Sequence, residues 1–425
     1  MSKHEGIPSF YPFVSSKGAA ILDGGMTTSL PPESGKHFLW GMQLLFSKKG
    51  LEQLYAVHYK FLESGADAIE TLSYKLSEEI ITICHEKGWM DKLREEIISE
   101  DPTDWIETGI DSETNLPTMG ELYQRSVGTA TRARDDYVNK TNAQLKPLVI
   151  ACFGPHDDAC ILFSGQTDPI TSSRKQSIMA IEKSKGVRKL DDAHIQKMHD
   201  YYRRKLTGFL LDSKILPDMV LFETLPSVKE ALIAMEELSL INDKLPKIVP
   251  CNVSFIPHPV FGPDKINKGD HLADAVDEAI RFIHGENWRT LRLSQLVAGG
   301  QESKEDNGDI KQLNVVLASI GCNCFNPDMT NTIAEIIRES IDETYEELQS
   351  PNKMAKPEVI VYPNSGEVWD SRADQRSWRF KDDDDMKVLV GQDAKEFNEH
   401  GATVIGGCCR VTSTQIGLFA KEFRN

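Results

Sequence analysis

The residue types and spacings that point most directly to chemistry are those of Cys408 and Cys409, adjacent in Gly406-Gly407-Cys408-Cys409-Arg410. Neighbouring cysteines cannot easily bridge to each other, and both thiolates reach one soft metal ion only where the backbone bends. The glycine pair supplies that bend after the apolar run Ala402-Thr403-Val404-Ile405. A further candidate thiolate, Cys324, ends Gly321-Cys322-Asn323-Cys324 and follows the apolar run Val315 to Ile320. Three cysteines delivered by two strand ends would make a thiolate-rich zinc site with one position open. The competing reading is buried, inert thiols, since free cysteine is among the most buried residue types. It is preferred for Cys84, Cys152, Cys160 and Cys251. For Cys324, Cys408 and Cys409 the catalytic reading wins, because structural zinc sites rarely hold only three cysteines. Cys322 would share a strand face with Cys324 unless the strand bends at Asn323. His400 is expected at the opposite end of the last strand and offers no fourth ligand.

The elements that must position these cysteines are legible as eight short apolar runs. They are Ala19 to Leu22, Ala66 to Ile69, Leu148 to Cys152, Met219 to Phe222, Ile248 to Val253, Val315 to Ile320, Val359 to Tyr362 and Ala402 to Ile405. Near-continuous apolarity suits parallel strands covered on both faces. Helical patterns lie between them. Leu51, Leu54, Val57, Tyr59 and Phe61 mark one before Gly65, and Ile333, Ile336, Ile337, Ile341 and Tyr345 mark another. Ser227 with Glu230 opens a third as a capping box, and Thr412 with Gln415 starts the last. Eight strands alternating with helices predict an α/β fold of the (β/α)8 TIM barrel type, one domain over residues 1–425. Two stretches, at about 77–144 and about 256–312, read as insertions. The second includes the Gly-rich, acidic segment Gly299 to Asp309, expected as a mobile loop. Asp382 to Asp385 reads as a solvated turn before a helix at Met386-Lys387-Val388.

The 425 residues, 40% of them hydrophobic, can bury a large core. A net charge of -17 argues against nucleic acid or an anionic membrane as partner. No run reaches membrane-spanning length, and Met1 to Lys17 lacks an apolar signal core. Eight cysteines without regular spacing fit reduced thiols, so a cytoplasmic enzyme is the expectation. The oligomeric state is not encoded legibly.

Polar residues cluster directly after the apolar runs, at the strand ends where barrel active sites lie. These segments are Asp23-Gly24-Gly25-Met26-Thr27-Thr28, Gly65-Ala66-Asp67 to Ser73-Tyr74 and Phe222-Glu223-Thr224-Leu225-Pro226. Gly321-Cys322-Asn323-Cys324, Tyr362-Pro363-Asn364-Ser365-Gly366-Glu367 and the C-terminal cysteine segment complete the set. In this order the set resembles the homocysteine S-methyltransferase family over nearly the whole chain. The resemblance implies Zn2+ on Cys324, Cys408 and Cys409, and homocysteine as methyl acceptor. It implies that Asp23 and Glu223 hold the substrate ammonium group. Ser73 and nearby backbone N–H groups would take the substrate carboxylate, with Gly24 allowing close backbone approach. Asn364 would orient the substrate or a neighbouring ligand.

The Tyr362 to Asp370 stretch looks most like the branch using sulfonium donors, S-methylmethionine or S-adenosylmethionine. Such a cation wants aromatic faces, and Trp40, Trp369 and Trp378 are candidates. The betaine-using branch is the runner-up, and selenocysteine is an alternative acceptor. Phe153-Gly154-Pro155-His156-Asp157-Asp158 lacks the small segment that often follows Gly-Pro in the family, and the stretch from Ser164 to Asp168 lacks the expected acidic-aromatic continuation. Val411 stands where Thr is usual. These departures motivate a reading from another class, a zinc- and thiol-binding protein without turnover.

Overall fold

The computed structural model of the chain describes residues 6–31, 39, 41–109, 118–156, 192–258, 262–266, 270–285, 313–348, 354–370, 377–379 and 393–423. Each apolar run forms a strand: β1 Ala20–Ile21, β2 Ala68–Glu70, β3 Leu148–Phe153, β4 Met219–Leu225, β5 Cys251–Phe255, β6 Leu317–Asn323, β7 Glu358–Tyr362 and β8 Val404–Ile405. Every neighbouring pair is parallel, in the sheet order β1-β8-β7-β6-β5-β4-β3-β2. A bridge between Leu22 and Ala68 joins the two edges and closes the barrel. One helix packs after each strand: α1 Lys48–Ser64, α2 Met119–Thr141, α3 Asp192–Leu210, α4 Val228–Asn242, α5 Leu272–Ile283, α6 Thr330–Glu347, α7 Asp393–Glu399 and α8 Ser413–Glu422. The expected (β/α)8 barrel is the architecture found.

Local signals set the helix limits. Ser47 accepts from Gly50 N to start α1, and Gly65 at φ 108° ends it in the left-handed region that glycine tolerates. Ser227 accepts from Glu230 N at the start of α4, and Thr412 with Gln415 forms a complete capping box on α8.

Two apolar clusters divide at the sheet. The larger fills the layer between strands and helices. The smaller holds Leu22, Ala68, Ile150, Leu221, Ile360 and Val404, which marks it as the barrel lumen. Phe10 and Phe13, on the helical segment just before β1, join it and plug the N-terminal mouth. Side chains alternate across a strand with a period of two. The lumen face therefore continues from Ala68 to Glu70, from Ile150 to Cys152 and from Leu221 to Glu223. An apolar floor thus rises into a polar rim at the C-terminal strand ends.

The two long stretches contain barrel helices as well as additions. Between β2 and β3, helices Glu78–Glu86 and Trp89–Glu100 are extra, whereas α2 is the barrel helix. After β5 comes a hairpin, Pro257–His258 with Gly262–Ile266, and then α5, again a barrel helix. Gly299 to Asp309, Asp382 to Asp385, Met386 to Val388, Ser164 to Asp168, Cys160 and Trp40 lie outside the described residues. Among the described residues no helix is long and apolar enough to cross a membrane.

Candidate metal centre and acceptor pocket

Cys324 follows the end of β6, and Cys408 and Cys409 follow β8. Between them lies the end of β7, which holds both segments. Tyr362 O accepts from Cys324 N at 3.2 Å, and Pro363 O accepts from Cys408 N at 2.8 Å. Asn364 accepts at Oδ1 from Cys409 N at 3.1 Å and donates its own N–H to Phe325 O at 2.9 Å. The result gathers the three thiols within 4.8 Å of one another, all partly exposed. Cys322, two residues from Cys324, is fully buried in the outer layer. The strand does bend after Asn323, since Cys324 has φ 61°.

The donor set fits a zinc ion. Tetrahedral zinc–sulfur bonds of about 2.3 Å place thiolate pairs about 3.8 Å apart. The Cys324–Cys409 pair at 3.6 Å and the Cys408–Cys409 pair at 4.0 Å match that spacing. Cys324 and Cys408, at 2.7 Å, must open by about 1 Å to share a metal. Hydrogen bonding to Cys324 and Cys409, reinforced by burial, holds the Cys408 thiol well above its ordinary pKa. A metal would displace those protons.

The bend has a steric cause. A Cβ on Gly407 would lie 2.1 Å from Val411 Cγ1, and one on Gly24 would lie 2.6 Å from Val411 O. The 406–411 turn therefore packs directly on the Asp23-Gly24-Gly25 segment. Arg410, at φ 69°, locks the turn from outside through a two-pronged pair with Glu367, Nε to Oε2 at 2.8 Å and Nη2 to Oε1 at 3.3 Å. Four described non-glycine residues have positive φ, and Thr224, Cys324 and Arg410 are three of them. Such strain persists where surroundings over-determine it.

Asn323 shows how. It is fully buried and donates through Nδ2 to Thr224 Oγ1 at 2.8 Å and toward Cys408 Sγ at 3.9 Å. Its Oδ1 accepts from Thr224 N at 2.9 Å and Ser254 Oγ at 2.8 Å. The pairing of β4 with β5 slips at this point, between Phe222 and Leu225, which re-aims Glu223.

Glu223 and Asp23 line the rim beside the cysteines. Tyr362 Oη donates to Glu223 Oε2 at 3.2 Å, and Cys152 Sγ donates to Glu223 Oε1. Glu70 N donates to Asp23 Oδ2 at 3.0 Å. Carboxylate oxygens of Glu70 and Glu223 and the Cys152 sulfur all lie within 4.8 Å of one another. Burial pushes the Glu223 carboxyl up to about 7. Asp23 is raised well above the usual carboxylate range, chiefly by burial; the Glu70 N–H partly offsets this, and the Glu223 charge adds to it. Glu70 is raised by burial first and then by the charges of Glu223 and Asp23. Such a site favours a cation.

Ser73 lies deeper than the other sequence-derived residues. Its hydroxyl donates to Cys152 O at 2.7 Å, shares a bond with Thr71 Oγ1 and accepts from Cys152 N. It ties the β2 end to β3 and shapes the turn that follows β2. Cys152, read from sequence as an inert core thiol, is buried but belongs to the carboxylate cluster. The lumen-facing period of β3 explains that placement. Sequence reasoning named no role for Glu70, Asn323 or Tyr362, although each sits inside a segment it singled out. His400 bonds Glu335, far from the cysteines in the order of the last strand.

A sequence model described as homocysteine S-methyltransferase matches residues 20–423. The chain is 24% identical over 417 residues to homocysteine S-methyltransferase 1 of Brassica oleracea var. italica, covering 96% of this chain and 94% of that one. It is also 24% identical over 413 residues to the selenocysteine methyltransferase of Astragalus bisulcatus, with 94% and 90% covered. The metallated form of the homocysteine methyltransferase MmuM from Escherichia coli superposes with a TM-score of 0.57 at 18% identity, over 97% of this chain and 98% of that one. The barrel, the strand-end segments and the match over residues 20–423 lead to one conclusion: this chain belongs to the homocysteine S-methyltransferase family.

Proposed function

We propose that this protein transfers a methyl group from a sulfonium donor, S-methylmethionine or S-adenosylmethionine, to the thiol of homocysteine, forming methionine at a zinc ion held by Cys324, Cys408 and Cys409. The observation that carries the reading is the convergence of three thiols from two strand ends beside a buried carboxylate pocket. When bound, zinc supplies the Lewis acidity that keeps an acceptor thiol ionised at neutral pH. The chain's own residues do the positioning. Asp23 and Glu223 take the ammonium group. The backbone around Gly24, and the turn that Ser73 shapes, face the carboxylate. Asn364 and Asn323 fix the thiolates so that the acceptor sulfur meets the donor methyl in line.

The donor side is supported by the backbone beyond Glu367. A hairpin, Val368–Asp370 with Ser377–Arg379, starts next to the Glu367–Arg410 pair and sets Trp369 opposite Trp378. Tryptophan is the residue type whose ring best attracts a sulfonium cation. A panel assay tests the proposal. Zinc-loaded protein with homocysteine should yield methionine fastest from S-methylmethionine, with zinc determined on the same sample. Absence of product from every sulfonium, betaine and folate donor would contradict it. Selenocysteine in parallel, ranked by kcat/KM, separates the acceptors.

A further inference from the structure

Asp23 and Glu223 account for two acceptors of an ammonium group, but the pocket holds a third carboxylate. Glu70 continues the lumen face of β2, and its carboxylate lies within 4.8 Å of both Glu223 and Cys152. Its own N–H binds Asp23 Oδ2, so the three acids form one contiguous wall. Among the described residues no Lys, Arg or His pairs with any of the three. The buried Lys205 acts on Glu223 through its charge but makes no ion pair with it. Its Nζ donates to Tyr74 O at 2.9 Å and stands 5.0 Å from the centre of the Phe153 ring.

Three carboxylates this close repel one another, and an isolated charge cannot be buried cheaply. An organic cation is shared by all three acids where it offers a separate hydrogen-bond donor to each. A primary ammonium group has three N–H donors. We infer that Glu70 is a third ligand of the substrate ammonium group and makes the pocket selective for α-amino thiols over thiols of the same shape that lack the amine. The inference rests on the homocysteine reading and adds to it a specificity-determining residue. It also accounts for Cys152. Its thiol fills the gap between Glu70 and Glu223 and donates to Glu223, so it covers the floor without adding charge.

The test uses equilibrium binding to zinc-loaded full-length protein, with homocysteine and 4-sulfanylbutanoate, the same thiol acid without its amine. Wild type should bind homocysteine far more tightly. Glu70→Gln removes the charge at nearly constant shape and should reduce the ratio of the two Kd values by about 10- to 100-fold, the range of one charge-assisted hydrogen bond. Glu70→Asp keeps the charge one methylene back and should retain part of the discrimination. It carries the test alone if the Gln variant does not fold. A ratio unchanged within about twofold in a folded variant overturns the inference. So does a second zinc per chain that is lost on Glu70 substitution, which would assign the cluster to a metal. Failure of wild type to bind homocysteine at all is a different result, and it would remove the homocysteine reading itself.

Discussion

Asn323 and Thr224 clasp each other through two hydrogen bonds of 2.8 and 2.9 Å, and the same Asn323 amide reaches toward Cys408 Sγ. Thr224 is a β-branched residue at φ 61°, a conformation that costs energy unless its surroundings enforce it. The clasp therefore connects the Glu223 side of the pocket to the metal side. Substituting Asn323 by Ala removes four bonds and is expected to cost about 2–4 kcal/mol of stability, measured by urea unfolding. Zinc affinity should fall about 10- to 100-fold in a chelator competition, as for other residues that orient metal ligands. A loss of stability with unchanged zinc affinity would restrict Asn323 to a structural role.

Gly407→Ala tests the bend. Its Cβ would lie 2.1 Å from Val411 Cγ1, so the 406–411 turn must shift. Overpacking of this kind costs about 1–3 kcal/mol, and displacement of Cys408 should lower zinc content in parallel. Gly120→Ala serves as the control, because its Cβ would meet Asp212 Cβ at an ordinary 3.4 Å within α2. There the expected change is neutral or stabilising. Equal zinc content in both variants would show that the turn tolerates a side chain.

Burial raises the Glu223 carboxyl from 4.5 to about 7, and the sign of its effects follows. The unliganded fold holds a proton that the unfolded chain releases, so this residue's contribution to stability is present at low pH. It is lost as pH rises through about 7. Substrate binding runs the other way, because an ammonium group prefers the ionised carboxylate. KM for homocysteine should therefore fall as pH rises from 6 to 8, by up to about tenfold. Glu223→Gln should raise KM and flatten that dependence. A wild-type KM independent of pH over this range would place the ammonium elsewhere.

Single Ser substitutions at Cys324, Cys408 and Cys409 should each reduce turnover by at least about 100-fold and lower zinc occupancy, while the barrel remains folded by circular dichroism. Chelation of wild type should give the same loss, reversed by added zinc. Any one Ser variant with full activity would remove that cysteine from the ligand set.

Much of this architecture is legible in the sequence because parallel strands buried on both faces read as continuous apolar runs. All eight runs became strands, and Gly65, Ser227 and Thr412 mark helix limits by their own backbone chemistry. The cysteine trio was legible for a similar reason, since two of its members are adjacent and all three end apolar runs. Glu70 and Cys152 were harder. Their roles depend on which face of a strand turns inward, and a run apolar on both faces does not reveal that. Asn323 was hidden because its partner Thr224 is 99 residues away in sequence. The long stretches hold α2 and α5 beside added segments. In the closed barrel, each of these two helices packs after its own strand.

The central claim is that the three thiolates leave one position for the acceptor thiol. Zinc K-edge X-ray absorption on the loaded protein measures this directly. Three sulfur ligands and one lighter ligand are expected in the resting protein, becoming four sulfurs when homocysteine is added. A sulfur count that stays unchanged with homocysteine bound would contradict the account.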